Sequence, residues 1–261
     1  LYSLPMAKLD KSSYTKAQWK LLKQQRKAAK HQHRASKQAV PMDVNVPVAT
    51  APVQPAYVGE TSIAFVLGNG VSRKSIRLDH IREWGRTYGC NALYRDYAPH
   101  YLIAVDAKMI NEICEAKWQM RHEVWTNPNK NLEKHPGLHF FKPSQGWSSG
   151  PTALWLATEH KHKLFYLLGF DFVGTTEGKL NNIYGGTRNY RKLTDPATYH
   201  GNWQRQTGMI IQKYPKNKYV RVVETIGMGY QADDFKKYQN YSEITVADFR
   251  SLYCRPKPPQ N

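Results

Sequence analysis

From Ile63 onward, short unbroken apolar runs alternate with segments whose apolar residues recur at helical spacing. The runs at 63–67 (IAFVL), 101–105 (YLIAV), 123–126 (EVWT), 163–172 (KLFYLLGFDF) and 219–224 (YVRVVE) read as strands. Between the second and third, 107–117 places Met109, Ile110, Ile113 and Ala116 at helical spacing. A further helix begins at Ser149-Gly150-Pro151, with Ser149 as N-cap and Pro151 in the first turn. Strands that are apolar on both faces and alternate with helices belong to a parallel sheet covered on both sides. The pattern therefore predicts an α/β body: a three-layer, Rossmann-like parallel sheet.

Residues 1–40 read differently. They are rich in helix formers, and residues 12–40 contain neither Gly nor Pro. Thr15 and Gln18 have the spacing of a capping box. The bulky apolar residues are few (Trp19, Leu21, Leu22), so a helix here needs a partner to be stable. Residues 41–57 carry four prolines among Val and Ala and read as an extended linker. The predicted organisation is a basic helical arm (1–40), a Pro-rich linker (41–57) and the α/β domain (58–261).

Charge changes the picture of the partners. The formal net charge is +18. Residues 1–60 hold ten Lys/Arg against three Asp/Glu, and 61–261 hold 28 against 17, so arm and body are both basic. Such a balance points to a polyanionic partner. Residues 8–37 are the expected contact for nucleic acid or another polyanion, each phosphate contact releasing counterions. No apolar run approaches the ~18 residues of a membrane span. The start lacks the apolar core of a secretory signal, and Met6-Ala7-Lys8 has the look of an ordinary start. Cys90, Cys114 and Cys254 are scattered, without a C-x-x-C pair, which fits a reducing cytoplasm.

In open α/β sheets, ligands bind beyond the carboxyl ends of the strands. That rule selects Gly68-Asn69-Gly70, Asp106, Gly169-Phe170-Asp171 and the helix start at Ser148, Ser149 and Gly150, whose free N–H groups suit a phosphate. After Gly68-Asn69-Gly70 come Val71, Ser72 and Arg73, so the third glycine of a dinucleotide fingerprint is missing. The GK[ST] ending of a P-loop is missing as well, and both NAD binding and P-loop hydrolysis are disfavoured; the expected ligand of the loop is a nucleotide phosphate, approached by Gly68 and Gly70, with Ser72 and Arg73 supplying donors and charge.

Three motifs occur in order: FVLGNGVSRKSI, YGCNALYRDYAPHYLIAVD and SSGPTALWLATEHKHKLFYLLGFDF. Together they resemble the bacterial sialyltransferase superfamily and the related motility-accessory-factor and pterin-diphosphokinase-like proteins, over about residues 61–175. The resemblance implies a glycosyltransferase that uses a nucleotide-sugar donor, inverts the sugar and needs no metal or other cofactor. It implies that Gly68, Asn69, Gly70 and Ser72 cradle the phosphate and ribose, that Asn91 contacts the nucleotide, that Ser149 and Gly150 line the base and ribose pocket, and that Asp171 closes the rim. It further implies a histidine general base, placed at His200, and tyrosines that stabilise the departing phosphate. Val71 stands where the family has proline, and Val173 where it has a phosphate-binding tyrosine. Tyr184 and Tyr190 are the candidates to replace that tyrosine, with Arg188 to neutralise a diphosphate. The pterin-kinase relatives suggest Mg²⁺ at Asp106 and Asp171, but two carboxylates on different strands make a weak cation site and magnesium is disfavoured.

Two readings of other classes stand beside the transferase. One is a protein that keeps the fold, lacks catalysis and binds nucleic acid. The segment 214–221 (YPKNKYVR), which interleaves aromatics with cations, suits single strands. The other is a structural component of a large assembly such as a phage particle, tethered by its arm, which would make the chain virion-associated. A shared fold does not choose among the three.

Overall fold

The computed structural model describes residues 62–227 and 233–255. The arm at 1–40, the linker at 41–57 and the first residues of the predicted domain lie outside the described residues. Eight strands form one all-parallel sheet: β1 (Ile63–Leu67), β2 (Arg86–Cys90), β3 (Tyr101–Ile103), β4 (Val124–Thr126), β5 (Leu138–Phe140), β6 (Leu164–Leu168), β7 (Lys218–Val223) and β8 (Tyr241–Thr245). Their spatial order is β5-β4-β3-β2-β1-β6-β7-β8. The helices are α1 (Leu78–Ile81), α2 (Ala107–Glu115), α3 (Ser149–Glu159), α4 (Gly201–Lys213), α5 (Asp233–Lys236) and α6 (Val246–Tyr253). The predicted three-layer, Rossmann-like α/β arrangement is what the chain adopts.

The central strands divide their side chains between two cores, as a pleat of period two requires. On β1, Ile63, Phe65 and Leu67 join one core and Ala64 and Val66 the other. On β6, Leu164, Tyr166 and Leu168 face the first core and Phe165 and Leu167 the second. The register sets Phe65 opposite Tyr166, with their rings stacked at 5.6 Å between centroids. The first core is closed by Met109, Ile110 and Ile113 of α2 and Phe249 of α6. The second is closed by Ala153, Leu154 and Ala157 of α3 and Ile210 and Ile211 of α4. Covered on both faces, β1 and β6 can be apolar throughout, which is why both read as unbroken runs.

The predicted strand at 163–172 ends at Leu168. Gly169 turns the chain out of the sheet at φ +67°, and Phe172 also takes a left-handed conformation at φ +56°. The strands predicted at 101–105 and 123–126 are β3 and β4, and the bonds Leu102 N to Glu123 O (3.0 Å) and Ala104 N to Trp125 O (3.1 Å) carry their pairing one residue past each. Helix α3 is capped one residue earlier than predicted: Ser148 is its N-cap and Ser149 its first residue. Three strands (β2, β5, β8) and two longer helices (α4, α6) are additions to the predicted set. Among the described residues, no helix is long and apolar enough to cross a membrane.

Candidate functional site

The strand order reverses between β1 and β6, so their crossovers leave in opposite directions and a crevice opens beyond their carboxyl ends. A cavity of about 520 Å³ occupies that place. Its size is that of a small-molecule site.

The floor is made where the two strand ends lean on each other. Gly68 N donates to Leu168 O at 2.8 Å and Gly70 N to Gly169 O at 3.0 Å, carrying the pairing past the last strand residues. A Cβ on Gly68 would lie 2.5 Å from Gly169 O. One on Gly70 would lie 2.7 Å from Gly169 O and run into the Asp171 carboxylate. The close approach signalled by these glycines is therefore made by the neighbouring loop. The following donors are also used inside the chain. Val71 N reaches Asn181 Oδ1 at 2.9 Å, and Ser72 N reaches Asp171 Oδ2 at 3.2 Å. Ser72 Oγ closes a short bond to Asp171 Oδ1. The N–H groups of Gly68, Gly70 and Ser72, expected to cradle a phosphate, each have an acceptor inside the chain. Ser72 and Asp171 instead lock the β1 and β6 loops together, and Asp171 also forms part of the cavity wall.

The facing wall comes from β2 and α3. Asn91, just after β2, sits at φ +51°. Its Oδ1 accepts from Ser149 Oγ at 2.8 Å, and Ser149 Oγ in turn accepts from Val105 N at 3.2 Å. This chain fixes the start of α3 against the ends of β2 and β3. Ser148 N is held by Gln206 Oε1 of α4 at 3.1 Å. The N–H groups of Ser149 and Gly150 belong to the first helical turn and have no intrahelical partner, and both residues line the cavity. Trp147 and Trp203 add aromatic surface beside them. Asparagine tolerates the left-handed region better than other non-glycine residues. Asn91→Ala is therefore expected to cost about 2 kcal/mol, from backbone strain and a lost hydrogen bond. Asn91→Gly should cost about half of that, because only the bond is lost. Equal losses for the two variants in urea unfolding would show that the backbone there carries no strain.

The roof is the long segment 169–200, which contains no helix or strand. It is tied down by specific bonds. Ile183 N donates to Asn69 O at 2.8 Å. Asn69 Nδ2 donates to Cys90 O at 3.2 Å and to Tyr190 Oη at 3.1 Å. Ala92 N approaches the same hydroxyl at 3.5 Å. Burial pushes the Tyr190 phenol up to about 12, so it remains a protonated donor near neutral pH. From the other side, Glu112 of α2 accepts from Tyr94 Oη at 2.7 Å, Arg95 Nε at 2.8 Å and Asn189 Nδ2 at 2.6 Å.

The predicted site residues divide accordingly. Gly68, Asn69, Gly70, Asn91, Ser149, Gly150, Asp171 and Tyr190 meet at one cavity, as does Asp106. Ser72 lies behind it. Tyr184 is buried away from the lining, and its hydroxyl accepts from Arg73 Nη2 at 3.3 Å. Burial raises that phenol too. Arg188 turns outward to Glu115 at 2.6 Å, so the cation that lines the cavity is Arg191. His200 is the N-cap residue of α4, with its ring near Tyr199. It flanks the rim between Thr198 and Asn202 and is not part of the lining.

Glu112, Trp147, Asn181 and Gln206 escaped the sequence reading. For Trp147 the signal was present, an aromatic directly before the Ser-Ser-Gly helix start. Among the described residues, no group of three or more His, Cys, Asp or Glu side chains is gathered so as to hold a metal ion. Comparison with protein-family models, with curated proteins and with solved structures returns no match.

Proposed function

We propose that the cavity binds a nucleotide donor and that the protein is a glycosyltransferase of the sialyltransferase-like kind, inverting and metal-independent. The observation that carries this reading is the lining itself. At the switch point, amide side chains (Asn69, Asn91, Asn182) and the first-turn N–H groups of α3 stand beside two tryptophans and a tyrosine hydroxyl. Amides and N–H groups recognise a base edge, ribose hydroxyls and phosphate oxygens. Tryptophan offers a ring for stacking. With the N–H groups of Gly68, Gly70, Val71 and Ser72 engaged inside the chain, the start of α3 is the phosphate end of the pocket.

In the proposed transfer, an acceptor oxygen attacks the anomeric carbon from the face opposite the nucleotide. The bond from that carbon to the phosphate oxygen breaks, and the phosphate leaves with the electron pair. Tyr190 Oη donates to the departing oxygen, stabilising charge as it develops. The acceptor's proton passes to a base. Asp106, whose carboxylate has no donor among the described residues, is the group in the lining placed for this role. His200 would serve it from the rim.

The test is calorimetric titration of the full chain with CMP, CDP, UDP and GDP, beside Tyr190→Phe and Trp147→Ala. The reading expects saturable micromolar binding of at least one nucleotide. Trp147→Ala should weaken it at least ~tenfold through lost stacking. Absence of binding to all four would sink the transferase. The excess of cations in 61–261 would then favour the nucleic-acid reading, which predicts binding that falls steeply with salt.

A further inference from the structure

Directly behind the cavity floor lies a cation without a carboxylate. Arg73 sits on the 3₁₀ turn Val71–Arg73 and is 5% exposed. Its Nε donates to Gly68 O at 2.5 Å, and its Nη2 to Asn69 Oδ1 and Tyr184 Oη at 3.3 Å each. The guanidinium carbon stands 5.9 Å from the Tyr184 ring centroid. All of these partners are neutral, and among the described residues no Asp or Glu lies within ion-pair distance of Arg73. The compensating charge nearest through bonds is Asp96, which is exposed and reaches Arg73 only by way of the Tyr184 hydroxyl. The other deeply buried arginine, Arg221, contrasts with this, having Glu243 at 3.7 Å.

A buried charge is costly unless another charge answers it. The partners of Arg73 lead towards the cavity. Gly68 and Asn69 both line it. Asn69 accepts from Arg73 through Oδ1 and donates through Nδ2 to Tyr190 Oη, so the three groups form one polarised chain ending at the cavity wall. Tyr190 Oη is an acceptor towards Asn69, which leaves its own proton to donate to a ligand.

We infer that Arg73 is a positioning residue for an anionic ligand, supplying from behind the wall the positive charge that selects a phosphate-bearing ligand over its uncharged counterpart. It does so without touching the ligand, through Asn69 and Tyr190. This rests on the nucleotide reading for the identity of the ligand, though not for its charge. Asp106 and Asp171 are the carboxylates of the lining and Arg191 its cation. Asp171 accepts from Ser72 without losing its charge, so Arg73 and Arg191 together balance the two carboxylates, and without Arg73 the negative charge of the lining would outweigh the positive.

The experiment is calorimetry on the full chain with matched pairs, CMP with cytidine, UMP with uridine and GMP with guanosine, together with inorganic pyrophosphate. Arg73→Gln removes the charge, and Arg73→Lys keeps it while losing the forked hydrogen bonds. The expected result is a wild-type preference for nucleotide over nucleoside. Arg73→Gln should weaken nucleotide and pyrophosphate roughly tenfold or more while leaving the nucleoside within about twofold, and Arg73→Lys should restore most of the preference. Equal weakening of nucleotide and nucleoside in Arg73→Gln would make Arg73 merely structural and overturn the inference, with the nucleotide reading untouched. If Arg73→Gln does not fold, Arg73→Lys decides: a retained preference supports the charge and a lost one overturns it. Arg73-dependent binding of pyrophosphate without any nucleotide would keep the inference and remove the nucleotide reading. No binding of any of the seven probes overturns both.

Discussion

Gly68→Ala is expected to destabilise the protein by about 3 kcal/mol, at the upper end of what overpacking costs. The added Cβ would lie 2.5 Å from Gly169 O and 3.1 Å from the Phe170 ring. The carbonyl cannot yield easily, because it accepts from Gly70 N at 3.0 Å, and Gly169 itself is held at φ +67°. Moving it would pull the ends of β1 and β6 apart. Gly150→Ala is the matching control. Its Cβ would come no closer than 3.5 Å to Phe170, an ordinary contact, and alanine favours the helix. Stability should therefore be unchanged or slightly raised, while any effect on ligand binding would report the cavity alone. Urea unfolding of the two variants checks both statements. A Gly68→Ala variant as stable as the wild type would mean that the two loops do not meet as described.

The second large effect is expected at Glu112. It is 6% exposed and its carboxylate gathers Tyr94, both the Nε and Nη2 of Arg95, and Asn189. Arg188 adds a longer contact at 3.9 Å. Removing one partner of such a group leaves buried donors short of an acceptor and a partly buried guanidinium without its counter-charge, which costs about 3–5 kcal/mol. Glu112→Ala should lose at least the lower figure, and Glu112→Gln, which keeps one carbonyl acceptor, should lose less. The loss should also have a location. Glu112 joins α2 to 187–189 of the roof, through Asn189 directly and through Arg95, which holds Thr187 Oγ1 at 2.7 Å and Arg188 O at 2.9 Å. Amide exchange in peptides covering 181–195 should therefore rise more than in peptides covering β1 or β6. Uniform acceleration across the body would show that Glu112 supports the core generally and does not hold the roof.

The elements legible in the sequence are those whose burial is two-sided. β1 and β6 sit at the centre of the sheet, so every position can be apolar, and 63–67 and 163–168 announce themselves. β5 (LHF) and β8 (YSEIT) lie at the edges, where one side meets solvent or sparse packing, and their polar residues erase the signal. β2 (RTYGC) is central but carries Thr87 and Gly89. Gly89 is needed because a Cβ there would press on Pro99. α4 (GNWQRQTGMIIQK) has a glycine at each end of its first two turns, and Ile210 and Ile211 are its fully buried apolar residues. Its helical period is too weak to stand out beside its polar residues.

The candidate site divides in the same way. Gly68, Asn69, Gly70, Asp106, Ser149, Gly150 and Asp171 are legible because strand ends and helix starts are local features, readable from a few neighbouring residues, whereas Asn91 entered only through the family resemblance. Arg73, Ser72 and Tyr184 turned on facts that no local window contains. Arg73 follows the glycine loop and reads there as a donor to a phosphate, yet it lies buried against Tyr184, from more than a hundred positions along the chain.

Sequence alone determined the alternation of apolar strands with helices, the parallel class of the sheet that follows from it, the basic balance of the chain and the polar glycine-bearing loops at the strand ends. These follow from side-chain periodicity, backbone preference and charge, each of which acts within a few residues. The tertiary structure decided that β6 pairs with β1, that this pairing opens the crevice, that the two glycines receive a neighbouring loop, and that a guanidinium without a carboxylate lies behind the cavity floor. Strand order and burial are properties of residues far apart in the chain, brought together because only that packing covers both faces of β1 and β6 at once.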